Sequence, residues 1–217
     1  TDGWYRAVSR AAFMEELIKH HGAVMDKYDP DGKIGMIIDE WGCWHDVEEG
    51  TNPGFLYQQN TMRDAVVAAV TLNIFNKYCR NVRMACIAQM VNVLQSVILT
   101  DGDQMLLTPT YHVYHMFRNH QGAQLLDSFT DGSRKSGPDG SKVNDIYESV
   151  SLGSDGMINI TIANTSPDSS NEIEISFHDL VPDEVSGTVL HDEMHAHNTF
   201  EEKDKVTEKN YAGIERE

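Results

Sequence analysis

A short apolar run, Ile34-Gly35-Met36-Ile37-Ile38, stops abruptly at Asp39-Glu40-Trp41-Gly42 and constrains the fold more than any other feature. A run this short, without polar alternation, suits a strand buried on both faces, as in a parallel sheet. Parallel strands need crossovers, and the flanking segments supply them. Residues 5–28 place Tyr5, Val8, Ala12, Leu17, Ile18, Met25 and Tyr28 near one face at helical spacing, and Asp29-Pro30-Asp31-Gly32 reads as a turn. Residues 43–60 read as a loop with Gly50, Asn52, Pro53 and Gly54. A helix is expected from about Met62 to Cys79, with Ala65, Val66, Ala69, Val70 and Ile74 on its buried stripe. A second doubly buried strand follows near Met84-Ala85-Cys86-Ile87-Ala88. After a linking segment, Thr108 caps a helix, Pro109 takes its first position, and Gly122 ends it. Helix, strand, helix, strand, helix is the rhythm of an α/β barrel or a doubly wound sheet.

After Gly122 the pattern changes. Residues 130–142 are rich in Gly, Ser, Asp and Lys and read as an exposed loop. Ile158, Ile160 and Ile162 alternate with polar or small residues, as do Ile173, Ile175 and Phe177, the period of half-buried antiparallel strands. The expected organisation is therefore an α/β part over residues 1–122 and a β-sandwich over 123–217. The chain begins at Thr1 and opens almost at once into a helix, which reads as a fragment missing its N-terminal part.

Charge narrows the partners. With 34 acidic and 17 basic residues the net charge is −17, a surface that repels nucleic acid and anionic lipid but not a neutral sugar chain. Three cysteines without regular spacing give no disulfide framework and fit a reducing compartment. No apolar run reaches the roughly 18 residues of a membrane span, and no signal peptide is visible.

A carboxylate at the end of a buried strand is a candidate for catalysis, because α/β barrels build their active sites at the C-terminal ends of the strands. Glu40 has that place, between Ile38 and the aromatic pair Trp41 and Trp44. From the pattern alone, a Glu that caps the next loop or pairs with an Arg stands equally well.

The segment from Ile34 to Gly42, with Trp44 following, resembles the nucleophile segment of the family 51 α-L-arabinofuranosidases. The resemblance continues through Gly50-Thr51-Asn52-Pro53-Gly54, residues 84–94, and Thr108-Pro109-Thr110-Tyr111-His112-Val113, to Met194-His195-Ala196-His197-Asn198-Thr199-Phe200. It covers the chain to about residue 206. It implies the C-terminal part of a (β/α)8 TIM barrel, with residue 40 closing its seventh strand and residues 84–88 its eighth, followed by an all-β sandwich that lacks closing strands after Val206. It implies retaining hydrolysis of terminal, non-reducing arabinofuranosyl groups on oligo- or polysaccharides, with Glu40 as nucleophile, no cofactor, a cytoplasmic location and a homo-oligomer, a hexamer, in the full-length protein. Retention needs a second carboxyl roughly 5–5.5 Å away as acid/base. In the family that group lies in an Asn-Glu pair on the fourth strand. The one such pair here, Asn171-Glu172, falls in the sandwich, so this chain alone lacks the acid/base.

The resemblance also implies that Gln89 contacts the sugar and that Trp44 takes part in substrate recognition. Their bland alternatives are a buried amide bonded to backbone and simple packing at the barrel mouth. His45 and Asp46 either touch a second sugar or belong to a solvated loop. Cys43, with no evident base beside it in the sequence, reads as a packed thiol. The run His191-Asp192-Glu193-Met194-His195-Ala196-His197 has metal-ligand residue types, with His195 and His197 sharing a face on a strand. No metal is expected there, since a site needs its full ligand count. The acidic tail from Glu201 reads as a solvated edge. Beside the glycosidase stands a non-catalytic carbohydrate-binding or scaffold fragment. A barrel glycosidase acting on xylan or glucan fits the quoted segments less well.

Overall fold

A computed structural model describes residues 2–136, 140–178 and 180–215. Helix α1 runs Asp2–Tyr28. Its buried stripe is Trp4, Val8, Ile18 and Gly22, with Ala11, Glu15 and Met25 half-buried between them, a spacing of alternating threes and fours. The stripe lies slightly to one side of the expected one, and Leu17 and Tyr28 are exposed. Strand β1 follows at Met36–Trp41, helix α2 at Met62–Lys77 and strand β2 at Val82–Ile87. β1 and β2 pair in parallel, with α2 as the crossover between them. Glu40 is thus inside its strand rather than just beyond it.

The expectation that both strands are buried on both faces is corrected. Ile37 is 57% exposed and Met84 51%. The two strands form a two-stranded sheet whose other face is covered by no element among the described residues. Met36, Ile38 and Trp41 pack against the helices, and the opposite face stays open.

β3 (Ile98–Asp101) and β4 (Gln104–Leu107) form a hairpin where a plain linking segment was expected. Helix α3 covers Pro109–Phe117 and ends in a 3-10 turn, Arg118–His120. Thr108 precedes α3, but its hydroxyl does not cap the helix. It donates to the carbonyls of Ser96 (2.8 Å) and Val97 (2.9 Å), tying α3 to the hairpin. Gly122 has φ +70, a left-handed conformation suited to the end of a helix.

Beyond residue 122 all regular structure among the described residues is β. β5 (Gln124–Leu126), β8 (Ile146–Leu152) and β9 (Ile158–Asn164) make an antiparallel sheet in the order β5-β8-β9. β6 (Arg134–Ser136), inside the stretch read as loop, pairs with β7 (Lys142–Asn144) at its end, and residues 137–139 of that stretch lie outside the described residues. β10 (Thr188–Val189) pairs with β11 (Lys209–Asn210). The alternating segment 173–177 forms no strand, and Ile173 and Ile175 are exposed. Period-two patterning needs a partner strand and a face to cover, and neither is present beside it among the described residues.

The sheet docks on α2 through polar groups as well as apolar ones, Ala163 and Tyr147 joining the core cluster of the helices. Asn73 Nδ2 donates to the Tyr147 carbonyl (3.0 Å), while its Oδ1 accepts from Ser149 (2.8 Å) and Thr161 (2.7 Å). Asn76 donates to Ser149, and His120 bonds Ser151 and Thr161 through its two ring nitrogens. Burial holds the His120 imidazole below its ordinary pKa. Trp4 Nε1 donates to the Thr165 carbonyl at 2.7 Å and fixes α1 to the same body.

Candidate active site

Glu40 owes its presentation to a bulge. Ile38 pairs with Ala85 and Trp41 with Ile87, so three steps along β1 match two along β2. The extra residue breaks the alternation. Trp41 rejoins the packed face, edge-on to Phe75 at 5.5 Å, while Asp39 and Glu40 are both exposed. The next backbone contact, from the Ala88 amide to the Trp41 carbonyl at 3.0 Å, brings Gln89 to the same end of the parallel pair as Glu40. Gln89 is exposed among the described residues. Trp44 is 70% exposed in this chain.

The loop after β1 is held firmly. Gly42 has φ +132, and a Cβ there would meet Gln95 Oε1 at 2.8 Å, so glycine is required. The same Gln95 oxygen accepts from the Cys43 amide at 3.1 Å. Gln58 accepts from the His45 amide and donates to the Cys43 carbonyl, clamping the backbone on either side of Trp44. Trp44, His45, Asp46, Gln58, Arg63 and His197 are among the walls of a polar cleft of about 600 Å³.

Behind the loop lies a cluster that sequence reasoning missed. Asp64, in the first turn of α2, is fully buried. Its Oδ1 meets His45 Nε2 at 2.9 Å, and its Oδ2 accepts from the Thr61 amide (2.8 Å) and hydroxyl (3.1 Å) and from Arg63 Nη2 (3.3 Å). Burial works to raise this carboxyl. The His45 bond, the Arg63 charge and the Thr61 amide outweigh it and hold the pKa below its ordinary value. Cys43 hydrogen-bonds to Asp64, and burial first, then the Asp64 charge, pushes its thiol up to about 12. Cys43 therefore has the partners that its sequence neighbourhood did not reveal, although it remains a protonated thiol. The spacing Thr61-x-x-Asp64 resembles the acidic variant of a helix-capping box and was the available signal.

The His195 segment is a loop, not a strand, so the expected shared strand face is not formed. Its backbone has the clearer task. The Met194 and Ala196 carbonyls accept from the Arg63 and Met62 amides at 3.1 and 3.0 Å, satisfying first-turn donors of α2. Asn198, buried, exchanges bonds with Val206 and donates to Leu107, which holds the segment down. This placement brings His195 and His197 to the cleft. Asn171 and Glu172 lie in an irregular segment far along the chain from the strand ends, and no described contact joins them to Glu40.

Comparison with known proteins agrees with this architecture. The alpha-L-arabinofuranosidase C-terminal domain family matches residues 39–216. An intracellular exo-alpha-L-arabinofuranosidase of Bacteroides ovatus is 41% identical over 206 residues, 94% of this chain and 40% of that protein. A probable alpha-L-arabinofuranosidase C of Aspergillus clavatus is 28% identical over 75% of this chain and 33% of its own length. The crystal structure of the GH51 arabinofuranosidase from Xanthomonas axonopodis pv. citri superposes with a TM-score of 0.88 at 38% identity, covering 97% of this chain and 43% of that one. The arabinose-complexed enzyme of Thermotoga maritima shares the fold, with a TM-score of 0.79 at 19% identity. The chain thus spans about 40% of the length of a curated relative that it matches. No described helix is long and apolar enough to cross a membrane. With an α/β portion leading into a β-sandwich and a family match over most of its length, the chain belongs to the alpha-L-arabinofuranosidase C-terminal domain family.

Proposed function

We propose that this chain supplies the nucleophile side of a retaining α-L-arabinofuranosidase, with Glu40 as the nucleophile. The observation that carries the reading is the shared end of the parallel pair. Glu40, exposed by its bulge, and Gln89, just past β2, stand at the same end of two bonded strands, and Trp44 stands over the neighbouring cleft. In the first step the Glu40 carboxylate attacks the anomeric carbon as an acid protonates the departing oxygen. In the second, water attacks the same carbon and releases arabinose, so configuration is retained. The Gln89 amide offers a donor and an acceptor to sugar hydroxyls, and the Trp44 face offers a platform for a ring.

The acid/base and the other strands of a closed TIM barrel belong to sequence outside this chain, and the open face at Ile37 and Met84 is the surface they would cover. In this reading residues 1–122 complete the barrel and 123–217 form the sandwich. The substrate is an arabinose-bearing oligo- or polysaccharide. The protein is cytoplasmic, in keeping with a relative named intracellular. Assembly as a hexamer follows from the family resemblance alone.

The test uses the complete protein carrying Glu40→Ala, an activated aryl arabinofuranoside and azide. Loss of turnover, with azide returning a product of inverted configuration, is the expected result. Rescue through a product of retained configuration would make Glu40 the acid/base instead.

A further inference from the structure

We propose that Cys43, His45 and Asp64 form a binding site for a zinc-class divalent cation, placed behind the loop that carries Trp44. One ligand atom from each residue, a sulfur, a ring nitrogen and a carboxylate oxygen, lies within 4.8 Å of the other two. Sulfur, nitrogen and carboxylate oxygen are the donor set that zinc and cobalt share, and hard cations such as calcium take oxygen instead. The site is independent of the glycosidase reading.

Three features make it a built site rather than a chance meeting of side chains. Cys43 and His45 alternate on one short stretch whose backbone is clamped by Gln58 and Gln95, so two ligands are already positioned. Asp64 is fixed at the start of α2 with Oδ2 held by Thr61 and Arg63, while Oδ1 faces His45 and also accepts from Arg63 Nε (3.4 Å) and Nη2 (3.3 Å). His45 also lines the polar cleft, which gives a cation and its waters a way in. On binding, the cation takes the place of the His45–Asp64 hydrogen bond, the Cys43 thiol releases its proton to solvent, and sulfur becomes a ligand. Three protein ligands leave the remaining positions to water on the cleft side. Trp44 lies between two of the ligands, so an occupied site stiffens the residue offered to substrate.

The experiment titrates cobalt(II) into the complete, reduced protein and follows the near-ultraviolet thiolate-to-cobalt band and Trp emission. Zinc should abolish the band by competition. The expected result is one equivalent bound, with the band lost in Cys43→Ser and retained in Cys79→Ser and Cys86→Ser. His45→Gln, a change at the cleft surface, should weaken binding by at least about tenfold. Absence of the band in the folded wild-type protein, or its persistence in Cys43→Ser, overturns the site. If Cys43→Ser does not fold, unchanged cobalt affinity in His45→Gln overturns it equally.

Discussion

The strand ends and the loop just behind them are made of the same residue types and treated in opposite ways. Glu40 and Gln89 are exposed, and no described side chain is bonded to either. Asp64, one helix away, is fully buried and holds partners from His45, Thr61 and Arg63. A carboxylate meant to meet a substrate must keep its bonding capacity free. One meant to hold a scaffold must use all of it, because an unpaired buried charge is strongly destabilising. Satisfaction of hydrogen bonds, rather than residue type, therefore separates the candidate chemistry from its support.

The difference can be broken most directly at Asp64. Asp64→Ala should lose about 3 kcal/mol of stability in urea unfolding, since it leaves the Thr61 amide, His45 and the Arg63 charge without their acceptor. A loss under about 1 kcal/mol would mean that the cluster is ornament. Asn73→Ala should follow, at roughly 2 kcal/mol, by removing the shared acceptor of the Ser149 and Thr161 hydroxyls and a donor to the Tyr147 carbonyl at the junction with the sandwich. If it instead proves neutral, water replaces the amide and the junction is looser than its bonds suggest.

Acid sharpens the comparison. Asp64 has a folded pKa below its unfolded value of 3.8, so its contribution is fully present above that value and drains away as pH falls through the folded one. Urea midpoints of the wild type should therefore drop below about pH 4. Asp64→Asn should show a shallower drop, and an identical slope would remove Asp64 from the acid response. The smallest effect belongs to the strand ends. Glu40→Gln and Gln89→Ala should change stability by no more than about 0.5 kcal/mol, because they strip no described partner. A larger destabilisation of either would show a structural duty that the exposed geometry does not predict.

Much of this was legible in the sequence, for identifiable reasons. The run ending at Glu40 and the helix from Met62 are dense, local signals, and both elements are present within a few residues of expectation. The bulge was not legible, since it depends on the register against β2. Cys43 could not be paired with Asp64 by neighbourhood, because its partner lies 21 positions further on (64 − 43), in the first turn of another element. The hairpin at 98–107 was readable from Asp101-Gly102 between two apolar stretches. The alternation at 173–177 was readable too, and misled, because pattern specifies a willing strand but not the neighbour it needs.

The start of α2 is finished by carbonyls at 194 and 196, so a helix is completed by residues about 130 positions further along the sequence. Contacts this distant close late, after the intervening chain has been ordered. During synthesis, which proceeds from the N-terminus, the Trp44 loop leaves the ribosome with one wall absent. The cleft can assume its final shape only when the segment reaching Val206 arrives to hold Asn198 in place. Maturation of the substrate-facing loop is in this way timed by residues 194–206, and a product shortened before them would carry Glu40, Trp44 and Gln89 without the wall that sets the loop.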